Sequence, residues 1–125
     1  MTQVDSNDIG VIKYQTLGNK ICEALENHAV RLGFDSTLVP TIEWKNLLFS
    51  IKRDPSNGEN CLAGEWKDAR GYLIGQIQFN SDGSFYAEHD IVKQHPKDSR
   101  WFVEAVEAWG SREKISTDSR LISTV

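Results

Sequence analysis

Glu88-His89-Asp90, with His95 five residues beyond Asp90, is the segment of this chain richest in groups that bind metals or move protons. Imidazole nitrogens and carboxylate oxygens suit zinc and other divalent ions. On a strand, however, His89 points away from Glu88 and Asp90. A metal centre here would need His95 to fold back and a further ligand from elsewhere, and no HExxH or paired-cysteine spacing supplies one. The expectation is no metal site, with His89 and His95 as the candidates to check. Glu65 and His89 form a second pairing. A carboxylate that orients an imidazole is a common construction for a general base. It is also how a partly buried histidine is satisfied, and that plainer reading is preferred. No GxSxG elbow, Walker loop or GxGxxG fingerprint occurs, and neither cysteine sits in a nucleophile's context. No cofactor is expected.

The elements that must position these groups lie between Cys61 and Ile91. Two turns of like design, Asp68-Ala69-Arg70-Gly71 and Asn80-Ser81-Asp82-Gly83, divide this stretch into three strands. Asn or Asp first and Gly fourth mark a type I turn that ends in a left-handed residue. Between strands, that pattern makes a hairpin with a glycine bulge. The second turn pairs Asn80 with Ser84, and then Phe79 with Phe85, Ile77 with Ala87, Gly75 with His89 and Leu73 with Ile91. A slip of one residue would set Ile77 against Glu88, which disfavours any other register. The same loop at the first turn pairs Asp68 with Tyr72. It puts Cys61, Ala63, Glu65 and Lys67 on the Phe79 face, and Leu62, Gly64 and Trp66 on the other. Glu65 and His89 then flank Gly75 on one face, with open space above the glycine.

Beyond the meander, Leu17, Ile21, Ala24, Leu25, His28 and Leu32 recur at helical spacing, which predicts a helix over 15–32 with Gly33 as its stop. Gly18 weakens its first turn, and Asn19 is an alternative start. His28, on the stripe, reads as a core or border histidine. Phe102, Ala105, Val106 and Trp109 predict a second helix over 97–109, stopped by Gly110. Residues 41–52 fit either a helix or a strand; the turn cluster Asp54-Pro55-Ser56-Asn57-Gly58 favours a strand leading into a hairpin. Residues 1–8 read as a flexible terminus, with a short strand near Ile9–Ile12. Residues 111–125 read as a polar segment, either a mobile tail or an added edge strand.

These elements predict one α+β domain over residues 9–110: an antiparallel sheet of about four strands packed against an N-terminal and a C-terminal helix. The 125 residues, 39% hydrophobic and 26% charged, fit a single soluble domain. A net charge of -4 disfavours a broad nucleic-acid surface. No stretch reaches the length of a membrane span, and the polar, acidic first residues do not resemble a signal peptide. Cys22 and Cys61 read as reduced, buried thiols of a cytoplasmic protein.

The leading functional expectation is a non-catalytic binding or protein-interaction domain, which could also be a homodimer. Its contact surface is the sheet face that the helices need not cover: Trp66, Tyr72, Gln76, Gln78 and Tyr86, with Trp101 as a further exposed aromatic. Tyr and Trp are enriched at interfaces. The competing expectation is a small-molecule site or enzyme pocket between sheet and helices, with Glu65 and His89 as acid and base.

Overall fold

The computed structural model describes residues 2–4, 8–34, 42–55, 57–94 and 101–124. Their backbone is α+β, one antiparallel sheet with a long helix. The elements run β1 (Thr2–Val4), α1 (Ile9–Ile12), α2 (Gln15–Leu32), a 3-10 turn at Trp44–Asn46, β2 (Leu48–Arg53), β3 (Asn60–Lys67), β4 (Leu73–Phe79), β5 (Phe85–Gln94), β6 (Trp101–Gly110) and β7 (Ile115–Thr124). The strands lie in the sheet in the order they occur in the chain.

Helix α2 follows its apolar spacing. Leu17, Ile21, Leu25 and Ala29 are buried, and Gly33 ends the helix at φ 104°. Gly18 keeps the first turn despite its low helix propensity, because the Trp44 ring packs where a β-carbon would stand. The stripe of α2 joins Val11, Trp44, Phe49, Leu62, Trp66, Ile77, Phe79, Phe85, Ala87, Ile91, Val106 and Ala108 in one core. The described helical elements therefore all lie on one face of the sheet.

Both meander turns form as their residues require. Gly71 and Gly83 sit at φ 87° and 91°, and their amides close the turns onto the carbonyls of Asp68 and Asn80 at 3.0 and 3.2 Å. Phe79–Phe85, Ile77–Ala87 and Gly75–His89 are paired as expected. The first hairpin differs. Asp68 does bond Tyr72 at 2.9 Å, but Lys67 then pairs with Leu73 and Trp66 with Gly75. Ile74 is therefore an extra residue in β4, a bulge that reverses the faces of β3. Leu62, Gly64 and Trp66 face the core, and Cys61, Ala63 and Glu65 face away. The β4–β5 pairing stops at Gly75–His89, so Leu73 is not paired with Ile91.

The C-terminal helix over 97–109 is not formed. Residues 101–110 are strand β6, and residues 97–100 lie outside the described residues. Phe102, Ala105, Val106 and Trp109 satisfy a helical spacing. The segment is nevertheless rich in Trp, Phe and Val, which fit a pleated surface better, and it pairs along ten residues of β5. Gly110 does end the element, at φ 133°, as the first residue of the β6–β7 hairpin rather than as a helix stop. Val11 belongs to helix α1 and not to a strand. Thr2–Val4 form a short strand that pairs with β2. Leu48–Arg53 form a strand, as the turn cluster after them favoured. Residues 115–124 supply the last strand of the sheet. Cys22 and Cys61 are both buried and unbridged.

Candidate functional site: the outer face of the sheet

Side-chain alternation sorts the expected site residues onto two faces. Trp66 is on the core face and 1% exposed. Its indole Nε1 donates to the Glu43 carbonyl at 2.9 Å, and its ring lies over Gly75, 2.9 Å from where a β-carbon would stand. The space expected above Gly75 is thus filled by the tryptophan, and Trp66 is not part of an exposed surface. His89 is also on the core face, 1% exposed. Both of its ring nitrogens are buried without a hydrogen-bond partner among the described residues. Burial lowers its pKa to about 4, so it is neutral at pH 7.

Glu65 pairs with Gln76, and Gln76 with Glu88. All three project from the face opposite His89, with the sheet between. The Glu65–His89 acid–base pair is therefore not assembled. Among the described residues no group of three or more His, Cys, Asp or Glu side chains is placed to hold a metal ion. His95 lies outside the described residues. Trp101 opens β6, and its side chain falls outside the described part.

The outer face does bring several expected residues together. One row across it is Ala63, Gln78, Tyr86, Trp109 and Ser116; the next is Leu48, Glu65, Gln76, Glu88, Glu107 and Asp118. Tyr86 and Trp109 are direct cross-strand neighbours, 36% and 40% exposed. Tyr72 is also exposed, in the β3–β4 turn. Trp109 was missed because a helical reading of 97–109 turned it inward. Read as a strand, its distance of three residues from buried Val106 puts it outward.

Charge on this face is concentrated around Arg120. Its guanidinium meets Glu88 at 3.1 Å and Glu107 at 2.5 Å. The Tyr86 hydroxyl donates to Glu88 at 3.1 Å. Burial, together with the Glu88 and Glu107 carboxylates, pushes the Tyr86 phenol above its ordinary value. Asp90 shares a hydrogen bond with Glu88, and its other oxygen is buried without a partner among the described residues. Burial first, and the Glu88 carboxyl second, raise the Asp90 pKa to about 7. Two carboxylates thus meet one guanidinium, with Asp90 bonded behind Glu88, and Glu65 and Asp118 extend the acidic row. Such a surface offers flat aromatic contact, hydrogen-bond acceptors and a negative potential.

Comparison with protein-family models, with curated proteins and with solved structures found no match to this chain. Among the described residues no helix is long and apolar enough to cross a membrane.

Proposed function

We propose that the chain is a binding module whose outer sheet face docks a partner protein carrying exposed lysine or arginine beside apolar residues. The observation that carries this reading is the Tyr86–Trp109 pair, exposed on a face that the described helices leave bare and bordered by Glu65, Glu88, Glu107 and Asp118. An aromatic centre with a charged rim is the usual arrangement of an interface hot spot. The acidic rim selects a basic partner and speeds encounter with it. Gln76 and Gln78 remain in this surface as polar border residues, whereas Tyr72, opposite Asp68 in the turn, falls on the Trp66 side. Self-association through the same face would set like charges against each other, so a different, basic partner fits better than a second copy.

Selection from a displayed random peptide library tests this. The expected binders are rich in Lys and Arg with an apolar or aromatic residue. Their affinity should fall at least about tenfold for Trp109→Ala and for the Glu88→Gln, Glu107→Gln double variant. Neutral or acidic binders, or binding indifferent to these changes, would remove the reading. Light scattering supplies a second check. A dimer that Trp109→Ala dissolves would replace the basic partner with another copy of the chain.

A further inference from the structure

A second surface, on the side of the sheet that carries α2, brings cations together. Lys13, Thr16, Leu17, Lys20 and Arg112 line a cleft of about 280 Å³. It continues, through Lys13, Leu17 and Arg112, into one of about 430 Å³ bordered by Tyr14, the turn Ser81–Ser84 and the turn Ser111–Glu113. The extent is that of a small-molecule site. Lys20 sits one turn beyond Thr16 and Leu17 on the same side of α2, and Arg112 reaches in from the β6–β7 turn. In a chain of net charge -4, this puts three cations around one cleft.

Asp82 and Glu113 line the larger portion of the cleft too, and the hydroxyls of Ser84 and Ser111 lower their pKa values and keep them ionised; the smaller portion, with Lys13, Lys20 and Arg112, is lined by no carboxylate. Asp82 accepts from the Ser84 amide and hydroxyl at 2.9 and 2.6 Å. Glu113 accepts from the Ser111 hydroxyl at 2.7 Å. Each carboxylate is held in its own turn. Among the described residues none of the three cations forms an ion pair within 4.0 Å; Lys13 Nζ stands instead 5.0 Å from the centre of the Tyr14 ring. The Ser81 hydroxyl oxygen accepts from Asn57 at 3.5 Å and retains its own proton for an acceptor. The first turn of α2 has no side-chain cap, and its positive end adds to a field that the three side chains set.

We infer that this cleft binds a small soluble dianion of the phosphate-monoester class. Lys13, Lys20 and Arg112 would neutralise the phosphate, with Arg112 supplying paired N–H donors. The Ser81 hydroxyl would donate to a further oxygen. The organic part would lie toward Tyr14 and Leu17 in the larger portion of the cleft. The site shares no residue with the outer face, so the two surfaces can be tested separately.

Amide NMR titration with inorganic phosphate, with glycerol phosphate and with glycerol, at constant ionic strength, decides it. The expected result is saturable shifts confined to residues 13–20, 81–84 and 111–114 with both phosphates and none with glycerol. Glycerol phosphate should bind more tightly than inorganic phosphate. A Lys20→Gln, Arg112→Gln double variant, altered only at exposed positions, should weaken binding about tenfold or more. A Lys45→Gln, Lys52→Gln double variant should leave it unchanged. Shifts that grow linearly without saturating, or equal weakening in both double variants, overturn the site. So does sedimentation with phosphatidic-acid vesicles in the absence of any response to soluble phosphate monoester.

Discussion

His89 and Asp90 are neighbours in sequence and opposites in chemistry. His89 is a neutral imidazole in the core with no partner among the described residues, and Asp90 is a carboxyl on the outer face whose pKa is raised toward neutrality. As pH falls below about 6.5, the unfolded chain gains a proton that folded His89 does not accept until about pH 4. Stability is lost across that window, by up to about 3 kcal/mol. Asp90 acts in the other sense. Its folded carboxyl takes up its proton near pH 7, ahead of the unfolded one, so stability is gained as pH falls from there toward the ordinary carboxylate range. The two effects oppose each other over nearly the same interval. Urea unfolding at pH 7 and pH 4.5 should therefore show a small change for the unaltered protein, a marked acid loss for Asp90→Asn and an acid gain for His89→Leu. His89→Leu should also be at least as stable at pH 7, since it removes two buried nitrogens that bond nothing among the described residues. An acid loss that survives His89→Leu would place the sensitivity elsewhere.

Two aromatic substitutions separate core from surface at the same scale. Trp66→Ala should cost about 3–5 kcal/mol, as for a fully buried tryptophan. Trp109→Ala should cost under about 1 kcal/mol, since the side chain is 40% exposed. Chemical unfolding measures both, and comparable losses would contradict the assignment of faces.

At the level of elements, the single extra residue Ile74 has the largest effect. It makes Trp66, and not Glu65, the residue that meets Gly75 beneath the core. Gly75→Ala should destabilise by about 1–3 kcal/mol, the usual range for overpacking. An added β-carbon would stand 2.7 Å from the Glu88 carbonyl and 2.9 Å from the Trp66 ring. A neutral or stabilising effect in a thermal melt would mean that the ring does not lie there. The same bulge marks the limit of what the sequence makes legible. Turn chemistry is local, so Asn80–Gly83 announces its hairpin and register. Helix α2 is long and strongly periodic, and its bounds are readable from Leu17 to Gly33. A bulge has no local marker at Ile74. It follows from where Trp66 can be buried, which depends on Gly75, Glu43 and the helix together. β6 fails for a related reason: Phe102, Ala105, Val106 and Trp109 fit two periodicities, and only pairing with β5 decides between them. The candidate face was half visible. Tyr86, Gln76 and Gln78 were on it, whereas Trp66 and Trp109 exchanged places.

For the molecule as a whole, the sheet has two different edges: the three residues of β1 and the ten of β7. β7 is tied to α2 through His28 Nδ1, 3.0 Å from the Thr117 hydroxyl, and through Arg31, which donates to that hydroxyl at 3.3 Å. Deleting residues 111–125 should leave a long β6 edge unpaired and part of the α2 stripe uncovered. The expected result is concentration-dependent aggregation seen by sizing, where full-length chain stays discrete. A monodisperse, folded truncation would show that β7 is dispensable.

Strand order that follows chain order also has a consequence for how the protein is made. Each new strand can zip onto the one before it, so the meander assembles from near neighbours. The helix can do so only in part: it meets the Trp44–Asn46 turn early, but it also packs on β5, β6 and β7, and its bonded partner Thr117 lies 89 residues after His28. During synthesis α2 therefore waits with part of its apolar stripe uncovered until β6 and β7 emerge. That interval, rather than any step in the sheet, is when the nascent chain is most open to a chaperone or to a neighbour.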